Sequence, residues 1–364
     1  MSSKLNQRII RHMKPLSYFS DGSWLAFSRW KLYRCYADGK KTFLNRISTN
    51  FKRKICSCLR ILQRRFYLDQ IQGIVIDDNN ALIFEHHVLF LLNKENDAWT
   101  LKPLEIQIPN LKVLNFCKKG KDIYFGDYGY DTQKREKSIY KFSSDDLNVS
   151  VVYTFQKGEI NHVHNLYYDS YRKRFIVLTG DFGDSAAIYE ANEDFSELKP
   201  ILFGEQKYRS CQCIASKESL YYFTDSPFST NYLRMLKFFS NSVEEENLCE
   251  MYGSCIYGML DREQIIVSTT VENQTDIDNN LKSNYKYNLG EGIKGWYSEV
   301  VVFNAENCEV KTIARYKKDI LPMLPFGYGC VQFPYNYKQG FPVVYYGYAL
   351  KNIDGHTVVI GGTM

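Results

Sequence analysis

The sequence predicts an all-β protein, a six-bladed β-propeller in which each blade is a four-stranded antiparallel sheet. Three observations support this fold class. The 364 residues include 29 tyrosines and 23 phenylalanines, a composition that favours strands. Beyond residue 70, short apolar runs alternate with turns rich in Asp, Asn, Gly and Ser. These runs recur in groups of four, with a period of about 40 to 50 residues that is typical of propeller blades.

The repeated units define the blades in chain order. Each begins with an apolar strand, continues with a second strand that ends in Gly or Thr and usually an acid, and closes with two further strands. A polar insertion, Glu272 to Gly295, lengthens the step before the last unit and predicts a long loop. The units begin near Ile71, Leu111, His162, Cys211, Ser254 and Gly329.

The N-terminal region differs from these repeats. We expect residues 1–65 to form a basic segment whose run Trp24 to Tyr33 adds strands to the last blade and closes the propeller, which then occupies residues 66–364. A seventh blade remains compatible with the repeat count. A β-sandwich is the main competing fold, but it does not predict regular four-strand units.

Charge is distributed unevenly along the chain. Residues 1–65 hold sixteen Lys and Arg but only two acids, Asp21 and Asp38, although the net charge of the whole chain is only +5. Such a segment can lie on an anionic membrane surface or bind a polyanion. A solvated segment packed by its Ile and Leu residues is the alternative. No nucleic-acid partner is expected.

Neither a membrane-spanning apolar run nor a secretory signal is visible, so we expect a cytoplasmic protein, with a peripheral position on the inner membrane as an option. The ten cysteines lie mostly within apolar runs and are interpreted as reduced core residues. Phosphate-binding loops, nucleophile elbows and His-Glu-x-x-His motifs are absent, which argues against nucleotide-dependent glycosyl transfer.

Three turns between third and fourth strands look like worn Asp-boxes, around Asp38, Asp146 and Asp194. With the stretches Tyr124 to Gly129, Glu159 to Asp169 and Tyr328 to Pro334, they resemble bacterial sialidase-like (BNR-type) propeller proteins associated with exopolysaccharide and capsule biosynthesis. The resemblance implies a carbohydrate-active propeller. The three substrate-carboxylate arginines and the Tyr/Glu nucleophile pair of true sialidases have no clear counterpart here.

Candidate catalytic carboxylates occupy equivalent places in successive units. Asp127, Asp181 and Asp225 each end a second strand, and Glu272 lies just beyond the matching place in the next unit. Carboxylates gathered in this way shift one another's pKa, so that one can act as an acid while another acts as a base or nucleophile. Capping of strand ends by the same aspartates is the structural alternative.

Two histidines, His162 and His164, begin one unit at a spacing that places both on one face of a strand. They are candidate acid/base groups or ligands of a divalent metal, although no cofactor is strictly required. His86 and His87 are weaker candidates.

Candidate substrate-binding residues are of two types. An arginine can bind a carboxylate or sulfate with two nitrogens, and a tyrosine can stack on a sugar ring. We favour Arg209 over Arg135, which is more easily explained as an exposed loop charge. The set comprises Arg209, Tyr208, Arg135, Tyr128 and Tyr328.

Two functions therefore compete. The first is a glycosidase or lyase that acts on a bacterial, anionic polysaccharide or lipid-linked glycan. The second is a noncatalytic propeller that binds a glycan or acts as a scaffold in polysaccharide assembly, because fold alone does not determine function. Metal dependence would distinguish a lyase from a simple hydrolase.

Overall fold

The computed structural model describes residues 7–104, 111–129, 133–239, 242–273 and 288–361. These residues form seven four-stranded antiparallel sheets, which are the blades of a β-propeller. The all-β propeller class and the four-stranded blades are confirmed, whereas the prediction of six blades is wrong. No helix in the described ranges is long and apolar enough to cross a membrane.

The seventh blade, which the repeats did not predict, lies in the N-terminal region. The run from Trp24 to Tyr33 does not extend the last blade, because it supplies the two middle strands of a separate sheet. The strand that completes the last blade is instead Gln7–Arg11, which pairs with His356–Ile360. The first strand of the missed blade, Lys14–Tyr18, is buried along its whole length, so it lacks the alternating pattern that identifies a half-exposed strand.

The chain divides into two compact units, the first comprising residues 1–105, 259–261 and 316–364. It contains three blades, and a core in which Trp30, Leu25 and Ile83 are buried. Two short helices, α1 (Phe51–Cys56) and α2 (Arg60–Arg65), connect its first two blades in chain order. The strands are β1 (Gln7–Arg11), β2 (Lys14–Tyr18), β3 (Trp24–Ser28), β4 (Lys31–Cys35), β5 (Lys41–Arg46), β6 (Gln72–Asp77), β7 (Asn80–Glu85), β8 (Val88–Glu95), β9 (Ala98–Pro103), β26 (Cys330–Gln332), β27 (Val343–Tyr348) and β28 (His356–Ile360), with helix α3 (Met323–Phe326) before β26.

The second unit comprises residues 106–258 and 262–315 and holds three complete blades and most of a fourth. Aromatic side chains such as Tyr124 and Phe175 pack between its sheets. The strands are β10 (Phe116–Lys119), β11 (Asp122–Gly126), β12 (Lys137–Ser143), β13 (Asn148–Phe155), β14 (His162–Asp169), β15 (Arg174–Gly180), β16 (Ala187–Ala191), β17 (Leu198–Phe203), β18 (Ser210–Ala215), β19 (Ser219–Thr224), β20 (Tyr232–Phe238), β21 (Val243–Glu250), β22 (Tyr257–Asp261), β23 (Gln264–Ser268), β24 (Tyr297–Asn304) and β25 (Glu309–Lys317).

The three Asp-box-like turns lie between the third and fourth strands of their blades, as expected. Asp38 accepts the backbone N–H of Lys40 at 2.9 Å, and Asp194 accepts that of Ser196 at 3.0 Å. In the third turn, Asp146 accepts a hydrogen bond from the Ser143 hydroxyl at 3.0 Å. These aspartates therefore stabilise turns. The predicted insertion from Glu272 to Gly295 lies largely outside the described residues.

Strand pairing brings the candidate site together. In the fourth blade of the chain, His162 at the start of β14 pairs with Gly180 at the end of β15. In the next blade, Ser210 at the start of β18 pairs with Thr224 at the end of β19. A residue just before or at the start of a first strand therefore lies beside the residue that follows the second strand.

Candidate functional site

The site consists of polar side chains at these strand ends, and all of them belong to the second unit. His162 and His164 lie on β14 and Asp181 follows β15, while Arg209 precedes β18 and Asp225 follows β19. Both imidazoles and Asp225 are buried. The side chains of Asp181 and Arg209 keep 13% and 12% of their surface exposed, so the cluster reaches solvent through this pair.

Three ligand-type atoms form a nearly regular triangle. His162 Nε2 lies 3.0 Å from His164 Nε2. Asp181 Oδ1 lies 3.3 Å from His162 Nε2 and 3.2 Å from His164 Nε2. Two imidazoles and one carboxylate therefore converge on one point.

A β-bulge directs the second imidazole into this triangle. The register of β14 against β15 shifts between Val163 and Asn165, which leaves His164 as the extra residue. Bulges commonly re-aim a side chain next to a functional site. The ring also needs the absence of a side chain at Gly180, because a Cβ there would collide with His164 Cε1 and Nε2.

The hydrogen bond on the far side of His164 determines its tautomer. Its Nδ1 lies 2.9 Å from the backbone carbonyl oxygen of Ser210. A carbonyl oxygen can only accept, so Nδ1 carries a proton, and in the neutral tautomer with this pattern Nε2 presents a lone pair to the triangle. A backbone carbonyl in this position is the usual orienting partner of a metal-binding histidine.

Arg209 links the two aspartates. Its Nη2 lies 3.2 Å from Asp181 Oδ1, and its Nε lies 3.3 Å from Asp225 Oδ2. Burial alone would raise the pKa of Asp181, but Arg209 and His162 together hold it well below its usual range. Asp181 is therefore an ionised acceptor and not a proton donor near neutral pH. The Arg209 guanidinium therefore interacts mainly with these two carboxylates.

Burial also lowers the pKa of His162, and the charge of Asp181 offsets only part of that effect. The imidazole is consequently neutral at pH 7, as metal coordination requires. The ring of Tyr128 lies over His162, with a centroid distance of 4.5 Å. Burial raises the pKa of Tyr128 well above its ordinary value, so this phenol is a hydrogen-bonding and packing group.

Glu272 lies in the same region and has a raised pKa. Burial, followed by the charge of Asp225, raises its pKa to about 7. The Thr270 hydroxyl donates to Glu272 Oε2 at 3.0 Å. A carboxyl group with such a pKa can either give or take a proton at neutral pH.

A second group of potential ligand atoms adjoins the triangle and shares His164. It adds Cys211 and Asp225, and its three ligand atoms all lie within 4.8 Å of one another. Cys211 Sγ lies 3.3 Å from Asp225 Oδ2, while burial raises the pKa of the thiol well above its usual value. Asp225 Oδ1 has no hydrogen-bond partner among the described residues, although it is buried.

Two predicted residues have their side chains engaged by other groups. Asp127 accepts the backbone N–H of Gly129 at 2.7 Å and lies 3.6 Å from the buried Lys137 Nζ, so it caps the end of β11. Tyr208 is buried with its hydroxyl near Glu205 and Glu245. Of two further predicted residues, Arg135 is exposed after β11, and Tyr328 belongs to the first unit.

Three contributors to the site are not among the predicted residues. Cys211 was interpreted as a core residue, yet it occupies a bulge in β18 that corresponds to the bulge of His164 in β14. The Gln206 amide donates to the Asp181 backbone carbonyl at 2.6 Å, and Ser210 orients His164 through its own carbonyl. The equivalence of Cys211 and His164 was visible in the repeat, whereas a backbone carbonyl leaves no trace in residue identity.

Fold and site together define a seven-bladed β-propeller with a buried histidine and carboxylate cluster at the strand ends of adjacent blades. Among solved structures, the chain is similar to virginiamycin B lyase from Staphylococcus aureus, with 8% identity, a TM-score of 0.56 and coverage of 97% of this chain and 98% of that one. This likeness supports the propeller fold.

Two further structures show weaker similarity. An uncharacterized protein from Listeria monocytogenes shares 12% identity over 94% of this chain and 89% of its own, with a TM-score of 0.49. TolB from Acinetobacter baumannii shares 10% identity over 98% of this chain and 80% of its own, with a TM-score of 0.43. The sequence matches no family model and no curated protein.

Proposed function

We propose that this protein is a carbohydrate-active lyase that depends on a divalent metal and acts on an anionic polysaccharide. The observation that carries the proposal is the triangle of His162 Nε2, His164 Nε2 and Asp181 Oδ1, with His164 held in the ligand tautomer by Ser210. The expected sialidase-like resemblance is compatible with this proposal, but the resemblance itself does not imply a metal.

The dimensions of the triangle suit a metal ion. Ligand atoms about 2.1 Å from a common ion are separated by about 3.0 Å in octahedral geometry and about 3.4 Å in tetrahedral geometry. The three observed separations, 3.0, 3.2 and 3.3 Å, fall in that range. Two histidines and one carboxylate on one face leave the remaining positions of an ion for water or substrate.

Electrostatics supports an anionic substrate only when a cation is bound. Arg209 offsets one of the two carboxylate charges of Asp181 and Asp225, so the cluster without a metal does not attract a uronate. A divalent ion would reverse the sign of the local charge. When bound, it would act as a Lewis acid on the substrate carboxylate and acidify the adjacent C–H bond.

Glu272 is the residue that we assign to proton transfer. Its pKa of about 7 suits a group that takes a proton from carbon and then gives it to the glycosidic oxygen that departs as the C–O bond breaks, and the charges of Asp225 and Arg209 both reach it. Asp181 is unsuited to this role because its low pKa makes it a weak base. Tyr128 is positioned to keep His162 in place through ring contact.

A glycosidase is the second candidate, and Glu272 also favours it. A carboxyl group with a raised pKa is the expected general acid of such enzymes, and Asp225 would be its ionised partner. This mechanism needs no metal. Metal dependence therefore separates the two candidates.

The test measures turnover of polygalacturonate, alginate and the producing organism's own polysaccharide, after chelation and after addition of Mg²⁺, Mn²⁺ or Zn²⁺. The lyase proposal predicts an unsaturated product that absorbs in the ultraviolet, loss of activity with chelator, and loss in His162→Ala. Metal binding is measured independently by calorimetry on the wild type and on His162→Ala.

Other outcomes contradict the lyase proposal in distinct ways. Release of reducing ends without unsaturation, and without metal dependence, would establish the glycosidase. Saturable glycan binding without turnover would establish a noncatalytic recognition module. Absence of both turnover and glycan binding would favour the scaffold function.

A further inference from the structure

A two-helix segment of the first unit exposes an unusual combination of side chains. In residues 51–67, six large hydrophobic side chains are exposed, and they include Phe51 at 75% and Leu59 at 57%. Exposed apolar groups concentrated in this way usually mark an interaction surface. The six residues, which we call the apolar patch, are Phe51, Ile55, Leu59, Ile61, Phe66 and Tyr67.

Basic side chains are interleaved with the apolar patch. Lys52, Lys54 and Arg65 are exposed within the same segment. The sequence contains no Asp or Glu between residues 39 and 68, so no acidic side chain within the segment compensates this charge. The exposed surface is therefore both apolar and cationic.

The remaining arginines of the segment point inward and fasten it to the blades. Arg60 binds Asp354 through two nitrogens, at 3.0 and 2.7 Å, and Asp69 through a third at 2.5 Å. Arg64, which is 1% exposed, pairs with Asp319 and donates to the Phe326 carbonyl oxygen at 2.7 Å.

The first helix has its own attachment. Arg53 lies 2.7 Å from Glu85 and stacks over Trp30, and Asn50 caps the helix by accepting the N–H of Arg53. The outward position of Phe51 and Ile55 is thus fixed by contacts on the opposite side of α1. The patch is a rigidly presented surface of the folded protein.

We propose that this segment docks the protein on an anionic lipid bilayer. Apolar side chains would enter the boundary between headgroups and acyl chains while the basic side chains contact lipid phosphates, as in other interfacial amphipathic helices. A polyanion such as nucleic acid would use the three cations but would leave six apolar side chains in water. The bilayer is the partner that uses both properties, and the inference is independent of the proposed lyase activity.

The experiment is co-sedimentation of the full chain with vesicles of equal parts phosphatidylcholine and phosphatidylserine, compared with pure phosphatidylcholine vesicles. We expect binding to the mixed vesicles only, with weaker binding as salt rises. The variant Lys52→Gln/Lys54→Gln/Arg65→Gln should bind on the order of 100-fold more weakly, because each basic residue near the surface contributes about a factor of five.

Two further variants complete the test. Phe51→Ser/Leu59→Ser should bind at least about 10-fold more weakly, since it removes two of the most exposed apolar groups. Lys157→Gln/Lys217→Gln/Lys311→Gln removes the same charge from exposed positions of the second unit and should bind like the wild type. Equal loss in this control would overturn the proposal, and so would a preference for duplex DNA or polygalacturonate over vesicles.

Discussion

His164 Nδ1 lies 2.9 Å from the carbonyl oxygen of Ser210, and this single contact determines which nitrogen of His164 faces His162. Without a metal, one proton on His162 Nε2 satisfies the 3.0 Å contact between the two rings. A cation in the triangle must displace that proton. Because the His162 ring is neutral, that proton moves to Nδ1 of the same ring, and metal binding at pH 7 is expected to release no net proton, which calorimetry in buffers of different ionisation enthalpy measures directly.

Gly180 is not one of the three residues of the triangle, but its substitution tests the geometry of the triangle. In Gly180→Ala, the new methyl group meets the His164 ring, which must move away from Asp181. We expect a destabilisation of about 1 to 3 kcal/mol in urea unfolding and at least a tenfold loss of metal affinity. Gly361→Ala is the matched control, because a Cβ there meets nothing within 4 Å. Undiminished metal affinity in a folded Gly180→Ala protein would argue against the triangle as the site.

Asp181 and Asp127 end equivalent strands but have different surroundings, which makes them a matched pair. Asp181→Asn removes the main ionic partner of Arg209. It should lower the free energy of unfolding by about 2 to 4 kcal/mol and should also abolish metal binding. Asp127→Asn weakens a 3.6 Å ion pair with Lys137 and the hydrogen bond from the Gly129 N–H, and it should leave metal affinity unchanged. Chemical denaturation and calorimetry on both variants check this, and equal effects on metal affinity would contradict the assignment.

Glu272 should make the folded protein less stable as the pH rises through neutrality. Its folded-state pKa of about 7 lies above the ordinary value of 4.5, so the native state holds a proton that the unfolded chain releases between these values. This contribution is fully present below pH 4.5 and is lost as pH rises through 7. Glu272→Gln should therefore gain roughly 2 kcal/mol on the wild type between pH 5 and pH 8. Urea unfolding of both proteins at the two pH values measures the difference, and parallel pH profiles would refute it.

The buried Arg64 makes a prediction for the first unit. Arg64→Ala leaves Asp319 without its guanidinium partner and opens space beneath α2, so we expect a destabilisation of about 3 to 5 kcal/mol. Arg65→Ala, one position along and exposed, should change stability by less than about 0.5 kcal/mol. Thermal and urea unfolding compare the two variants. Similar values for both would mean that the segment is not fastened through Arg64.

The fold was largely predictable because the repeat is visible in the apolar runs. Each predicted start from residue 71 onward lies within about six residues of the first strand of a blade. The missed blade begins with Lys14–Tyr18, whose uniform burial and buried lysine do not look like a strand pattern. Lys14 is tolerated there because its Nζ donates to the Asp69 carbonyl oxygen at 2.9 Å, a partner that is 55 positions away.

The site was predictable to the extent that strand register determines it. Register places His162 beside the residue that follows β15. The two-residue spacing of His162 and His164 indicated that their rings lie close together. Asp127 occupies the same register position but forms an ion pair with Lys137. No sequence pattern shows which aspartate at a strand end will pair with a lysine. Cys211 was not predicted as a site residue, because a cysteine in an apolar strand is ordinarily a core residue.

The closing strand has a consequence for the time course of biosynthesis. β1 pairs with β28, and the hydroxyl of Thr357 donates to the Met13 carbonyl oxygen across 344 positions of the chain. Until the ribosome has synthesised His356–Ile360, Gln7–Arg11 has no partner strand, and the edges of this strand stay open. Such an edge can pair with a neighbouring nascent chain. Closely spaced ribosomes on one mRNA should therefore favour exchange of this strand between molecules.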